Sequence, residues 1–101
     1  MSQMMLIDKI GEPALLELLA EECSELAHAA LKMARAERGE NPTPKTVDEC
    51  KAEVMEECAD VWICIFELEK GLFTAEEVKD VTEIILGKYK RMRERMKDEI
   101  S

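Results

Sequence analysis

Apolar side chains recur along most of this chain with the spacing of helices, and the exceptions mark where one helix gives way to the next. Met4, Met5, Leu6, Ile7 and Ile10 make a short amphipathic piece within residues 1–10. Gly11-Glu12-Pro13 interrupts it, and Pro13 suits the first turn of a new helix, where its missing N–H costs nothing. From Ala14 to about Arg38 the helical period holds through Leu15, Leu19, Leu26, Ala30 and Ala34. The one clear loop is 39–46, where two prolines and a glycine forbid a continuous helix. Thr46 with Glu49, and Thr74 with Glu77, read as capping boxes opening two further helices. The first of these runs to Lys70 with Gly71 as its stop, and the last carries Val78, Val81, Ile84, Ile85, Tyr89, Met92 and Met96. No stretch alternates with the period of a strand. The expectation is a single all-α domain over 1–101: a helical bundle of three long helices and a short N-terminal one.

Two sets of acids break the pattern. Glu22 and Glu25 on the first long helix, and Glu57 and Asp60 on the second, are each three residues apart and so neighbours on their helix surface. They do not lie opposite the apolar stripe. At 100° per residue Leu15, Leu18, Leu19, Leu26 and Ala29 fall within about 60° of Glu22. Cys50, Val54, Val61, Cys64 and Leu68 flank Glu57 in the same way. Glutamates on solvated faces, such as Glu76, Glu77 and Glu94, need no explanation. A carboxylate on a core face is expensive unless something pairs it. Two such pairs on neighbouring helices call for a cation between them.

The second long helix carries another oddity. Val61-Trp62-Ile63-Cys64-Ile65-Phe66 is apolar all the way round, with Met55, Trp62 and Phe66 on the side away from Glu57. A helix hydrophobic on every side is buried on every side. A homodimer placing this helix at the centre of a joint four-helix-type bundle satisfies that; the alternative is that the N-terminal helix covers the second stripe.

Composition narrows the function classes. Hydrophobic residues are 47% and charged residues 37%, enough for a core and a solvated surface. A net charge of −9 argues against nucleic-acid binding and against a lipid-surface helix. No apolar run has transmembrane length and no secretory signal is present, so a cytoplasmic protein is expected. Cys23, Cys50, Cys58 and Cys64 form no Cys-x-x-Cys pair and read as reduced, core-filling thiols. His28 completes Glu25-x-x-His28, a fragment of the di-iron pattern of ferritin-like bundles. That pattern needs a second Glu-x-x-His, and the chain holds a single histidine.

Glu21-Glu22-Cys-Ser-Glu25, a loop, then Glu56-Glu57-Cys-Ala-Asp60 resembles the paired Glu-Glu-x-x-Glu and Glu-x-x-Asp signature of MazG-type nucleotide pyrophosphohydrolases. The resemblance spans roughly residues 12–97, in helix order as well as motif. That family sits in the all-α NTP pyrophosphatase superfamily, beside dimeric dUTPases, dCTP pyrophosphatases and phosphoribosyl-ATP pyrophosphohydrolases. The resemblance implies cleavage of a nucleoside triphosphate between the α and β phosphates, with Mg²⁺ (or Mn²⁺ in its place) and a dimeric or tetrameric assembly. It also implies Glu22, Glu25, Glu57 and Asp60 as metal ligands, with Glu21, Glu53 and Glu56 as flanking acids. Of these, Glu53 or Glu56 is expected to orient or deprotonate the attacking water. Lys32, Lys88 and Arg91 are phosphate-binding candidates by position. One departure is the Pro-containing connection between the motifs, which is longer than is usual in the family. The competing expectation from another class is a non-catalytic helical dimer that binds a nucleotide or a protein partner.

Overall fold

The computed structural model describes residues 4–40 and 44–100, with side chains described as far as 97. Four helices follow one another: α1 (Leu6–Ile10), α2 (Glu12–Arg38), α3 (Val47–Gly71) and α4 (Ala75–Ile100). The chain is all-α, and no strand occurs among the described residues.

The boundaries follow the local chemistry. Gly11 ends α1 and begins α2 at once, with φ of +88°, a value an L side chain resists. Pro13 sits in the first turn of α2. At the other end Gly39 adopts the left-handed conformation (φ 67°), and the N–H groups of Gly39 and Glu40 donate to the carbonyls of Ala36 and Arg35. That is the Schellman pattern, which uses up otherwise orphaned carbonyls. Residues 41–43, the middle of the expected loop, lie outside the described residues. Both capping boxes are present. The N–H of Glu49 donates to Thr46 Oγ1 at 3.1 Å, and that of Thr46 to Glu49 Oε1 at 3.1 Å. The Thr74–Glu77 pair repeats the exchange at 3.1 and 2.9 Å.

Helices α2 and α3 pack side by side as an antiparallel hairpin, and α1 closes one end of it. Ile7, Leu15 and Leu68 form the buried cluster there, with Leu19, Leu72 and Phe73 packed against it. A five-residue helix does not persist alone, and Glu67 of α3 helps to hold α1 by accepting the N–H of Ile7 at 2.8 Å. The N-terminal helix therefore covers the end of the hairpin and leaves the outer stripe of α3 bare. Trp62 is 69% exposed, Met55 64% and Phe66 55%.

Two expectations need revision. Gly71 does not stop α3 by turning left-handed; the helix runs through it to a cap at Leu72, and positive φ occurs only at Gly11 and Gly39 among the described residues. Its lack of a side chain serves packing, because a Cβ there would collide with Ile7 Cγ2. Of the four free thiols only Cys50 and Cys64 fill the core; Cys58 is half-buried and Cys23 exposed. Cys23 is rotated 100° from Glu22 and so leaves the buried stripe. Helix α4 has almost no contact with the other helices of its own chain. Leu72 and Phe73 are drawn into the core cluster, and that fixes the connector so that α4 points away.

Candidate metal centre

The hairpin converts sequence spacing into a cluster. Each step along α2 is matched by a step back along α3, so Glu22 comes to Asp60 and Glu25 to Glu57. One carboxylate oxygen from each of Glu22, Glu25 and Glu57 lies within 4.8 Å of the others. Asp60 borders this group through its contact with Glu22. The four residues expected as metal ligands therefore meet, three in a tight group and Asp60 at its exposed edge.

The electrostatics are unfavourable as the residues stand. Glu22 and Glu57 each have one oxygen, Oε2, sealed from solvent and without a hydrogen-bond partner. Withdrawal from water raises the carboxyl of Glu22 above its ordinary value, and Glu25 and Asp60 beside it raise it further. The same causes, burial first and then Glu25 and Asp60, raise Glu57. Carboxylates this close cannot all ionise without a positive charge or a proton between them. The donors are all carboxylate oxygens, the set that a hard divalent cation takes. Cys64, buried beneath, is pushed up by its burial and then by Glu22, so it stays a thiol and offers no soft ligand.

Beside the acids opens a groove of about 350 Å³, walled by Glu25, His28 and Lys32 of α2 and by Glu53, Glu56 and Glu57 of α3. Lys32 donates to Glu53 Oε2 at 3.4 Å, and Lys45 pairs with the other oxygen of Glu53. Glu53 is thus held as an oriented carboxylate, while Glu56 is exposed on the groove wall. His28 joins the groove by sharing one flank of α2 with Glu25 and Lys32, a signal present in the spacing. Lys32 is therefore at the site. Lys88 and Arg91 are not brought to it. Both lie on α4, where Arg91 borders a shallow hollow of about 540 Å³ with Asp80 and Glu83 of its own helix.

Comparisons of the chain with protein-family models, with curated proteins and with solved structures find no match in any of the three. Among the described residues no helix is long and apolar enough to cross a membrane.

Proposed function

We propose that this chain is a Mg²⁺-dependent nucleoside triphosphate pyrophosphohydrolase, acting on (d)NTPs of the cytoplasmic pool to give the monophosphate and pyrophosphate. The observation that carries the reading is the pair of sealed, unpartnered oxygens, Glu22 Oε2 and Glu57 Oε2, within a cluster of three carboxylates that Asp60 borders and that opens on a groove. The motif likeness to MazG-type enzymes supports it and supplies the reaction type. Glu22, Glu25, Glu57 and Asp60 would hold the ion. When bound, a divalent ion would supply Lewis acidity and the positive charge that the acids lack.

The chain's own residues supply the rest. Lys32 places a positive charge on a groove wall that is otherwise dominated by acids, where it can meet phosphate oxygens. Glu53, fixed by Lys32 and Lys45, is a rigid acceptor that can orient a water molecule. Glu56 is open to the groove and can take the proton that water loses as it adds across the α–β anhydride. The bond between the α and β phosphates breaks, and pyrophosphate leaves.

The deciding experiment is pyrophosphate release from a panel of canonical and modified NTPs and dNTPs, with phosphoribosyl-ATP included, in Mg²⁺ and in EDTA. Metal-dependent release with monophosphate as co-product is expected, abolished in Glu22→Ala and Glu57→Ala variants that keep their helical circular dichroism. Nucleotide binding without turnover anywhere in the panel would replace the reading with that of a non-catalytic binder. Full activity in the alanine variants would remove the acids from the site.

A further inference from the structure

The groove beside the acid cluster has two unlike walls. Setting aside Glu25 and Glu57 of the cluster itself, α3 presents the groove with two carboxylates, Glu53 and Glu56. Helix α2 presents the only nitrogen-bearing side chains that line it among the described residues, His28 and Lys32. At 100° per residue Glu25, His28 and Lys32 fall within about 60° of one another, so they form one file on α2. That file runs about 10 Å away from the acid cluster, with His28 between the acid and the lysine. Lys32 is already engaged by Glu53 at 3.4 Å. His28 is exposed, and it has no hydrogen bond or ion pair among the described residues. Nor does it belong to the acids whose oxygens converge within 4.8 Å, so it is not placed as a fourth ligand. The register that brings Glu25 to Glu57 sets His28 near the level of Glu53, on the other side of the groove.

We propose that the α2 wall is the leaving-group side of this site, and that His28 donates an imidazole N–H to the pyrophosphate as it departs. The proposal rests on the pyrophosphohydrolase reading and adds to it a direction across the groove. In phosphoryl transfer the attacking and leaving oxygens lie roughly in line, on opposite sides of the phosphorus. The acceptors that handle the water, Glu53 and Glu56, are on α3, so the departing oxygen is directed towards α2. More carboxylates there would repel it; His28 and Lys32 meet it with N–H donors instead. The oxygen of water bonds to the α phosphorus while the bond from that phosphorus to the bridging oxygen breaks. The bridging oxygen keeps the electron pair, the proton of water passes to Glu56, and His28 retains its own proton. Neutral and charged imidazole both carry an N–H, so the role does not depend on the charge state of His28. A nucleobase seated on His28 would instead turn the pyrophosphate towards Glu53 and Glu56, setting like charges together.

His28 is the lone histidine, so its ring signals can be followed by NMR in the full chain. With Mg²⁺ present, inorganic pyrophosphate is expected to shift them, and a nucleoside monophosphate to leave them where Mg²⁺ alone does. Pyrophosphate without effect, or a shift with the monophosphate only, would overturn the proposal. In turnover, His28→Ala is expected to lower kcat by about 10–100-fold, the scale of one hydrogen bond to a charged group. His28→Gln is expected to recover part of that loss, because its amide can donate. Nucleotides whose β,γ-bridging oxygen is replaced by methylene or difluoromethylene release leaving groups of different basicity. The alanine variant is expected to prefer the difluoromethylene analogue by a larger factor than the wild type does. An equal loss on both analogues would make His28 a structural residue and overturn its role. Turnover with unmoved His28 signals would remove this role alone, whereas no turnover of any nucleotide would remove the reaction and the role together.

Discussion

Glu22 and Glu57 carry their cost in one atom each. Each has an oxygen that neither water nor a donor reaches, and both carboxyls are raised above the ordinary 4.5. A carboxyl that holds its proton more tightly in the folded state stabilises the fold fully below its unfolded value. That stability is lost as pH climbs through the raised folded value. Without divalent ions the melting temperature is therefore expected to fall as pH rises from 4.5 towards neutrality. The wild type should fall more steeply than Glu22→Gln or Glu57→Gln, a difference thermal unfolding at several pH values would register. Glu49 works in the opposite sense, because its bonds to Thr46 lower it, but its effect lies below 4.5. At neutral pH, Mg²⁺ at ten times its dissociation constant should add about 1.4 kcal/mol, or roughly 6–11 °C of melting temperature at this chain length. The glutamine variants should lose most of that gain. An unchanged melting temperature in the wild type would mean that the cluster does not bind the ion.

At the scale of the helices, the close approach of α1 to α3 makes Gly71 unusual. Replacing a helical glycine by alanine ordinarily stabilises by about 1 kcal/mol. Here the new methyl would strike Ile7 Cγ2, a branch next to the backbone that cannot swing aside. Forcing such a contact costs about 1–3 kcal/mol, so Gly71→Ala is expected to destabilise by about 1 kcal/mol net, read from denaturant midpoints. The helix starts could be read in advance, because a cap is a matter of residues three apart: Thr46 with Glu49, Thr74 with Glu77. The clustering of Glu22, Glu25, Glu57 and Asp60 could also be read, since it needs only two helices with acids inside the apolar stripe. The direction of α4 could not. It depends on Leu72 and Phe73 choosing the core over the connector, a competition among distant apolar residues that no local spacing records. The pairing of Lys32 with Glu53 escaped for the same reason, since the two are 21 residues apart and meet only in the hairpin; Lys45, eight residues before Glu53, reaches it from the connector.

Over the whole molecule, stability and chemistry occupy different places. The acids sit along the middle of the hairpin, while the buried cluster of Ile7, Leu15 and Leu68 sits at one end. Neutralising an acid therefore need not disturb the cluster, which is why variants of Glu22 and Glu57 are expected to keep their helices. The cluster also joins residues sixty apart, and the N–H of Ile7 is answered by a carboxylate at position 67. A fragment ending at residue 46 retains α1 and α2 but lacks every α3 partner. It is expected to melt without a cooperative transition, checked by far-ultraviolet circular dichroism. The same seam sets a timetable during synthesis. Residues 6–10 leave the ribosome long before Glu67, Leu68 and Phe73 exist to receive them, so α1 waits unformed through the making of both helices of the hairpin. Any chaperone or protease that meets the nascent chain in that interval meets an open, apolar segment, and that segment is sealed only once the end of α3 has emerged.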